Sequence, residues 1–363
     1  MELKEQIYAV ATGTGSYIPP IVVKNSDYAG QTFLNEDGTI IDLPGNEIVE
    51  KFRQITDISE RRFAEDKFVT SDIAAFAAKE ALEAAKFDPE NLDYIILSHN
   101  LGDVKHGTIY PDILPTIASR IKQKLGIKNP KTVAYDITFG CPGWTQAAIQ
   151  ANYYIKSGDA KAVLVIGADT LSRIVDPNDR DSMIFADGAG AVLFEAKVSS
   201  NPVGILKHIA RTDTSEHLDL LRMGKAFDPK LVKNGDLYLK MHGRGVYNYA
   251  LTYVPIVAKE CLDINNLTLR NVCKILIHQA NAKMDEAILK RIFRLYDEKE
   301  ADMNVMPMTI STLGNSSVAT VPTLFDLVVK GKMKGHSLKS GDYVMMTSVG
   351  AGMNINAFMY KMP

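Results

Sequence analysis

One cysteine in the sequence has the surroundings of a nucleophile. Cys141 follows the strand-like run Val133–Ile137 and directly precedes a helical pattern, and Pro142 suits the first helical position because proline has no N–H to leave unpaired. The thiol then faces the positive end of a helix, so we expect a lowered thiol pKa and a reactive thiolate. Free cysteines are more often small core residues, and we interpret Cys261 and Cys273 in that way because each lies in an apolar pattern.

A histidine and an asparagine lie where their side chains could face the same cleft. His278 ends a strand-like run, and Asn315 comes directly before another helical pattern. Each has a simpler interpretation, since such a histidine is often structural and asparagine is a good helix N-cap. The order Cys, His, Asn also occurs in papain-like hydrolases, so a cysteine hydrolase is an alternative. It predicts a single unrepeated fold with disulfides and a signal peptide, which three cysteines and a charged N-terminus do not favour.

The elements that must position these residues alternate between strand-like runs and helical patterns, which predicts an α/β fold with sheets covered by helices. The sequence KSGD occurs at 156–159 and again at 339–342, each time before a strand-like run. Each half also carries an earlier strand that ends in a histidine, His99 in the first and His278 in the second. Two signals in the same order, offset by about half the chain, indicate duplicated halves.

The repeat predicts how the chain is divided. We place an N-terminal half at 1–200 and a C-terminal half at 201–363, and interpret the turn-rich segment near 26–50 as an inserted surface loop. In this scheme Asn315 holds the place in the second half that Cys141 holds in the first. We therefore expect two helix N-termini to face each other, one carrying a thiol and the other an amide.

Composition narrows the class of protein. The chain has 363 residues, 46% of them hydrophobic, and a net charge of -2, which does not suit a general nucleic-acid binder. Three cysteines without paired spacing indicate a reducing compartment, and no cluster of cysteine and histidine suggests a metal site. The charged start and strand-length apolar runs predict a cytoplasmic protein that does not insert into a membrane.

Six motifs together resemble, in order and spacing, those of the β-ketoacyl-ACP synthase III family. They are FGCPGW at 139–144, DPNDR at 176–180, FADGAG at 185–190, IHQAN at 277–281, GNSS at 314–317 and VGAG at 349–352. The resemblance covers nearly the whole chain apart from the segment near 26–50. It implies the thiolase fold, in which two duplicated halves form a layered α-β-α-β-α sandwich.

The resemblance also implies a decarboxylative Claisen condensation. By the match, Cys141 takes a starter acyl group, while His278 and Asn315 donate hydrogen bonds to the thioester oxygen of a malonyl-type extender. The backbone N–H groups of Cys141 and Ala351 would form the oxyanion hole. CoA or phosphopantetheine thioesters are then substrates, with no permanently bound cofactor and no metal. The family further implies a homodimer in which Tyr110 reaches the partner's pocket.

The chain departs from the family where the coenzyme binds. Relatives that take acetyl-CoA carry a Trp-led segment followed by Arg-Thr-Gly, and the comparable stretch here is Lys51–Asp57, without that Trp or Arg. Arg173 still matches a second coenzyme-side arginine. These departures, with a lengthened region ahead of Tyr110, are similar to specialised ketosynthases of the dialkylresorcinol type. The starter chain, the extender and the choice between CoA and a carrier protein as donor stay open.

A basic stripe follows His278. Lys283, Lys290 and Arg294 fall on one face of a predicted helix, and a solvated charged face is the simpler interpretation. The functional interpretation is a docking site for an acyl carrier protein, which is acidic. Two further alternatives stay open: a thiolase, which would need a second reactive cysteine near the last glycine-rich turn, and a non-catalytic binding module.

Overall fold

The strands form two main sheets, one from each half of the chain, and two short antiparallel pairs. The computed structural model describes residues 5–232 and 235–363. Its strands are β1 (Gln6–Tyr17), β2 (Ile21–Lys24), β3 (Glu60–Phe63), β4 (Tyr94–Ser98), β5 (Val133–Ile137), β6 (Ala162–Thr170), β7 (Asp187–Ser199), β8 (Gly204–Thr212), β9 (Leu221–Gly224), β10 (Tyr238–Met241), β11 (Val272–Ile277), β12 (Tyr343–Gly350) and β13 (Asn354–Lys361).

Helices alternate with strands from β2 to β6 and again from β10 to β12, as the alternating pattern predicts. They are α1 (Gly45–Thr56), α2 (Thr70–Ala85), α3 (Ile117–Lys124), α4 (Gly143–Ser157), α5 (Gly243–Ile264), α6 (Ala282–Arg294), α7 (Ile310–Leu313) and α8 (Thr320–Val329). Short 3-10 turns connect several of them, and the turn Ser317–Ala319 leads into α8.

The two main sheets share one strand order. The first runs β1-β7-β6-β4-β5, and the second runs β8-β13-β12-β11. In both, the first strand of the half pairs antiparallel with the last, and the two central strands that follow run parallel, β4 with β6 and β11 with β12. The second sheet has no strand in the place of β5 among the described residues. The common order shows that the two halves repeat one topology.

Five layers of helix and sheet alternate. Helices α4 and α8 lie between the sheets, and their apolar side chains pack against strands of both. Helices α2 and α3 cover the outer face of the first sheet, while α5 and α6 cover that of the second. Nine of the ten residues of α8 are buried, as expected of a helix enclosed on all sides. Full burial of Leu324 and Phe325 in this layer contributes roughly 1.5–3 kcal/mol each.

The strand and helix predicted on either side of Cys141, and those on either side of His278, are present. Strand β5 matches its predicted bounds, Val133–Ile137. The elements that were not predicted include β1, β8 and α5. Between 26 and 50 the chain makes a turn bridged by Leu34 and Ile40, buries Phe33, and enters α1 at Gly45. The boundary after residue 200 falls between β7 and β8 and stays a prediction.

Candidate active site

Cys141 lies in a tight turn that joins β5 to α4. Gly140 has φ +64°, and a Cβ added there would lie 2.7 Å from the backbone nitrogen of Ala351, so only glycine fits between the two loops. Helix α4 begins at Gly143, which makes Pro142 the N-cap residue and not the first helical residue as predicted. The Pro142 carbonyl accepts hydrogen bonds from the Thr145 hydroxyl at 2.7 Å and from Asn356 Nδ2 at 3.2 Å. These bonds fix the approach of Cys141 to the helix.

The thiol of Cys141 is not activated in the free protein. Burial of the sulfur raises the pKa of Cys141 to about 11, and the negative charge of Asp169 acts in the same direction. A hydrogen bond from Ser317 and the backbone N–H groups of Cys141 and Ala351 oppose this rise without cancelling it. The predicted lowering of the pKa is therefore wrong. Loss of water around the sulfur disfavours the charged thiolate and is the largest contribution to this rise.

His278 extends the pairing of β11 with β12 by one residue. Its backbone N–H donates to the Thr347 carbonyl at 3.0 Å, and its side chain is buried, with 2% of the residue exposed. Burial lowers the pKa of His278 to about 4, against the effect of a hydrogen bond with the Ser317 backbone. The imidazole is therefore neutral near pH 7. Its Nδ1 has no hydrogen-bonding partner among the described residues.

Asn315 is fixed by the FADGAG motif. Its backbone N–H donates to the Ile184 carbonyl at 3.0 Å, and its own carbonyl accepts from the Ala186 N–H at 2.8 Å, so it forms a parallel bridge with Phe185. Its side-chain Oδ1 accepts from the Ser317 N–H at 2.8 Å, at the start of the turn that leads into α8. The amide thus caps a backbone N–H and still presents its NH₂ group as a donor.

Ser317 joins Cys141, His278 and Asn315 into one site. Its hydroxyl donates to the Cys141 sulfur at 3.3 Å, its N–H donates to Asn315, and its backbone hydrogen-bonds with the His278 ring. Ser317 has φ +53°, a left-handed conformation that costs a non-glycine residue about 1–3 kcal/mol. Ser317 belongs to the GNSS motif, but its contacts with Cys141 and His278 are with residues far away in the sequence, so the sequence alone assigns it no role.

The predicted oxyanion hole has suitable geometry around the sulfur. A Cβ added to Gly350 would lie 2.6 Å from the Cys141 nitrogen, so the end of β12 and the start of α4 are in direct backbone contact. The N–H groups of Cys141 and Ala351 both point towards the Cys141 sulfur. Two backbone donors at one point are the arrangement that stabilises a tetrahedral oxyanion.

A cavity of about 540 Å³ lies beside the segment that follows His278. Ala280 and Asn281, which follow His278, form part of its wall. The apolar remainder comes from α1, the start of α5 and neighbouring loops, with Leu43, Ile48, Phe52, Ile55, Ile184, Met241, Val246 and Met284. Its cationic lining residues Lys51, Arg180 and Arg244 are exposed. A larger cavity of about 1450 Å³ is lined mainly by the polar segment around β9 and β10. Neither lining includes Cys141, His278 or Asn315, but the smaller cavity reaches Ala280 and Asn281 close to His278 in the chain, and it is the candidate substrate channel.

Arg173 lies within the protein and not at the surface. Its guanidinium donates to the carbonyls of Ala64 at 3.2 Å and Glu65 at 3.1 Å, and it contacts His106. Its side chain is 4% exposed. In this position Arg173 holds the loop before α2, and its predicted contact with a coenzyme stays a prediction.

The other predicted binding residues lie at the surface. Tyr110 is 63% exposed, and its hydroxyl donates to Asp236 at 3.2 Å in the same chain. Lys283, Lys290 and Arg294 are exposed on α6, which starts at the cavity wall. The basic stripe thus lies on the helix whose first turn contributes Met284 to the cavity wall, while its role in docking stays a prediction.

Metal-ligand clusters and membrane-spanning helices are both absent from the part of the chain that the structure describes. Within residues 5–232 and 235–363, no group of three or more histidine, cysteine, aspartate or glutamate side chains is arranged to hold a metal ion. None of the helices in the same ranges has the length and apolar character needed to span a bilayer.

Comparison with known proteins gives a consistent result. A profile of the 3-oxoacyl-[acyl-carrier-protein] synthase III family matches residues 135–214, and a profile of its C-terminal region matches 262–362. The β-ketoacyl-[acyl-carrier-protein] synthase III of Xanthomonas campestris pv. campestris is 33% identical over 359 residues, which cover 96% of this chain and 97% of that protein.

Solved structures agree with the sequence comparison. The 3-oxoacyl-[acyl-carrier-protein] synthase III of Aquifex aeolicus is 29% identical, with a TM-score of 0.76 over 97% of this chain and 99% of that one. The priming β-ketosynthase of the R1128 polyketide pathway is 25% identical, with a TM-score of 0.79 over 100% of this chain and 98% of that one.

The duplicated five-layer fold, with a cysteine at the start of one central helix and an asparagine before the other, is that of a condensing enzyme of the thiolase superfamily. Within that superfamily, the chain belongs to the β-ketoacyl-ACP synthase III family and is an acyltransferase. The predicted fold class and enzyme class are confirmed. The cysteine-hydrolase and binding-module alternatives are wrong, because neither has this repeated fold together with this family's sequence.

Proposed function

We propose that this chain forms a carbon–carbon bond in two steps. An acyl group first moves from a thioester to the Cys141 sulfur. A malonyl-type thioester, with a β-ketoacyl thioester as the alternative extender, then takes part in a decarboxylative condensation. Loss of carbon dioxide from the malonyl group gives an enolate, which attacks the acyl-Cys141 carbonyl and expels the Cys141 sulfur. The observation that carries this proposal is the meeting of Cys141, His278 and Asn315 around Ser317.

His278 and Asn315 are assigned to the second step. The imidazole is neutral because burial lowers the pKa of His278 to about 4, so it acts as a hydrogen-bond donor and not as a cation. The Asn315 amide is held by the Ser317 N–H on its oxygen, which directs its NH₂ group away from that contact. Two preorganised donors stabilise the enolate oxygen where negative charge develops.

The backbone N–H groups of Cys141 and Ala351 are assigned to the oxyanion of both acyl-transfer steps. Their close packing, enforced by Gly140 and Gly350, is the support for this role. Because backbone donors in a packed contact do not reorganise as charge develops, they favour the tetrahedral intermediate over the planar ester.

The substrates are CoA or phosphopantetheine thioesters, and no permanently bound cofactor takes part. A cavity of about 540 Å³ lies in the range of roughly 300–1,000 Å³ found for small-molecule sites, and its apolar wall suits a pantetheine arm. Ile55 stands where coenzyme-binding relatives carry an arginine, and it is 62% exposed. The cations left to meet a phosphate are Lys51, Arg180 and Arg244 on the cavity lining.

An acyl carrier protein docks on the basic stripe of α6. Lys283, Lys290 and Arg294 are exposed on α6, whose Met284 lines the cavity, and acidic carrier proteins are steered by such charges. Replacing Lys290 and Arg294 by Glu should raise the Michaelis constant for a carrier-bound substrate. It should leave turnover of a short pantetheine thioester nearly unchanged, and the difference should shrink with added salt.

The chain offers a matched control for that experiment. Lys79 on α2 lies 3.8 Å from Glu83 four residues on, as Lys290 lies 3.9 Å from Glu286. Lys79→Glu should therefore disturb a similar surface pair without affecting carrier-bound substrate. Equal losses in the control and the α6 variant, or equal losses with both substrates, would rule out docking at this stripe.

A homodimer would pair two copies of the first sheet. Strand β5 is an edge strand, and the exposed apolar residues Tyr110, Ile113, Leu114 and Val133 belong to it and to the segment between β4 and α3. Unpaired edges next to apolar surface favour association. Light scattering should give twice the mass of one chain, and a stable monomer at assay concentration would contradict the dimer.

The function itself is tested by malonyl-dependent release of carbon dioxide coupled to product formation. Cys141→Ala should abolish acyl loading and condensation with the fold intact, and a variant that still forms ketoacyl product at the wild-type rate would refute the proposal. The assignment to dialkylresorcinol-type ketosynthases and the cytoplasmic location stay predictions from the sequence.

A further inference from the structure

The hydroxyl of Ser317 is held in place by a buried polar network. Asn100, two residues past the end of β4, donates from Nδ2 to the Ser317 Oγ at 2.9 Å. The same amide donates to Asp169 Oδ2 at 2.6 Å, and the Asn100 N–H donates to Asp169 Oδ1 at 2.8 Å. Asp169 lies on β6 and is 2% exposed. Asn100 after β4 and Asp169 on β6 thus fix the position of the Ser317 hydroxyl.

The arrangement of donors directs the Ser317 proton. A hydroxyl has one proton and can accept through its oxygen lone pairs. Asn100 occupies the acceptor side, which leaves the proton to one of two acceptors, the Cys141 sulfur at 3.3 Å or the Asp169 carboxylate. A thiolate accepts more strongly than a neutral thiol, so the bond to sulfur strengthens as Cys141 loses its proton.

We propose that Ser317 is a fourth catalytic residue, whose hydroxyl stabilises the Cys141 sulfur as it becomes a thiolate during acyl loading. Asn100 and Asp169 are positioning residues, which act through that hydroxyl. This inference rests on the proposed role of Cys141 as the nucleophile. It assigns stabilisation of the Cys141 thiolate to the Ser317 hydroxyl, in addition to the helix N-terminus.

Transfer of the acyl group to Cys141 then requires no additional general base. The sulfur–carbon bond to the acyl group forms, the carbon–sulfur bond of the donor thioester breaks, and the proton lost by Cys141 ends on the departing thiol. Ser317 keeps its own proton throughout. A contribution of this kind is needed because burial raises the pKa of Cys141 to about 11, and the charge of Asp169 on β6 acts in the same direction.

The first test measures the thiol directly, independently of condensation. In Ser317→Ala, the rate of iodoacetamide alkylation of Cys141 at fixed pH should fall roughly 10- to 100-fold, as expected for the loss of one hydrogen bond to a charged group. Peptide mass spectrometry follows Cys141, with the half-buried Cys273 as the reference in the same sample. Alkylation at the wild-type rate would overturn the proposal while leaving the proposed condensation untouched.

The second test separates catalysis from simple support of the site. Ser317→Ala keeps the backbone contacts to Asn315 and His278, so acyl loading should fall at least tenfold more than malonyl decarboxylation measured in a Cys141→Ala background. Equal losses in the two half-reactions would mean that Ser317 only holds the site together, and the proposal would be wrong.

The third test uses the positioning residue. Asn100→Ala should slow alkylation of Cys141 in the native background and have no further effect when Ser317 is already alanine. Should Ser317→Ala not fold, Asn100→Ala still tests the proposal, because a wild-type alkylation rate in that variant would contradict it. Additive effects of the two substitutions would show that Asn100 acts by another route.

Discussion

Gly350 separates the two loops that carry the proposed oxyanion hole, and its replacement by alanine is a sharp test of that geometry. A Cβ at this position would lie 2.6 Å from the Cys141 nitrogen and 2.8 Å from both the Cys141 Cβ and the Pro142 Cδ. Two of these atoms belong to Cys141 itself, and Pro142 is the N-cap of α4, so no flexible side chain can move aside. The Gly350 backbone is extended, and the cost of alanine is therefore steric.

The size of the displacement follows from these distances. The loops must separate by about 0.8 Å for the closest contact to reach 3.4 Å, where ordinary van der Waals contact begins. A misplacement of about 1 Å at reacting groups costs on the order of 10²-fold in rate. Gly350→Ala should therefore lower acyl loading and condensation about 100-fold. Overpacking at this contact should also reduce the free energy of unfolding by about 1–3 kcal/mol.

The assay is the rate of Cys141 acylation, with thermal unfolding to confirm that the variant is folded. Gly30→Ala is the matched control, because an added Cβ there meets no atom within 4 Å, and it should behave as the native protein. Malonyl decarboxylation should suffer less than loading, since His278 and Asn315 do not contact Gly350 in this way. A Gly350→Ala protein that loads acyl groups at the native rate would refute the role of this backbone contact.

Three further results are expected. His278→Ala and Asn315→Ala should each slow malonyl decarboxylation about 100- to 1,000-fold and acyl loading much less, measured by carbon dioxide release and by peptide mass; the reverse ranking would contradict their assignment. Because the pKa of His278 is lowered to about 4, decarboxylation by Cys141→Ala should show no inflection near the ordinary histidine value of about 6.5, and such an inflection would argue against a neutral donor. The unfolded chain binds a proton at His278 below about pH 6.5 and the folded chain only near pH 4. The free energy of unfolding should therefore decrease as the pH is lowered from about 6.5 to about 4, and it should decrease less in His278→Ala. Thermal unfolding at several pH values can check this.

Local patterns in the sequence were sufficient for the elements that surround the chemistry. The alternation of apolar runs and helical patterns predicted β5, α4, β11 and the helix that follows His278, because each is a continuous segment with its own periodicity. Strands β1 and β8 escaped this reasoning. Each pairs antiparallel with the last strand of its half, β7 or β13, and that pairing across the whole half is not a local property.

Electrostatics at the site could not be predicted in the same way. The helix N-terminus next to Cys141 is visible in the sequence, but the sulfur's loss of water depends on β12, Ser317 and Asp169, which come from distant parts of the chain. Arg173 shows the same limit. Its match to a coenzyme-side arginine is a sequence property, whereas its bonds to the carbonyls before α2 are a property of the fold.

The central claim is that Cys141 carries the acyl group that is condensed, and one measurement tests it most directly. The protein is incubated with an acyl thioester, the cysteine peptides are weighed, and a malonyl thioester is then added while carbon dioxide is counted. If Cys141 carries the acyl group, an acyl adduct should appear on Cys141 and none on Cys261 or Cys273. Adding the malonyl thioester should release this adduct with one carbon dioxide per adduct. The acyl group should then be recovered as ketoacyl product. An adduct that water removes at the same rate without malonyl thioester, or product formed with no adduct on Cys141, would contradict this claim.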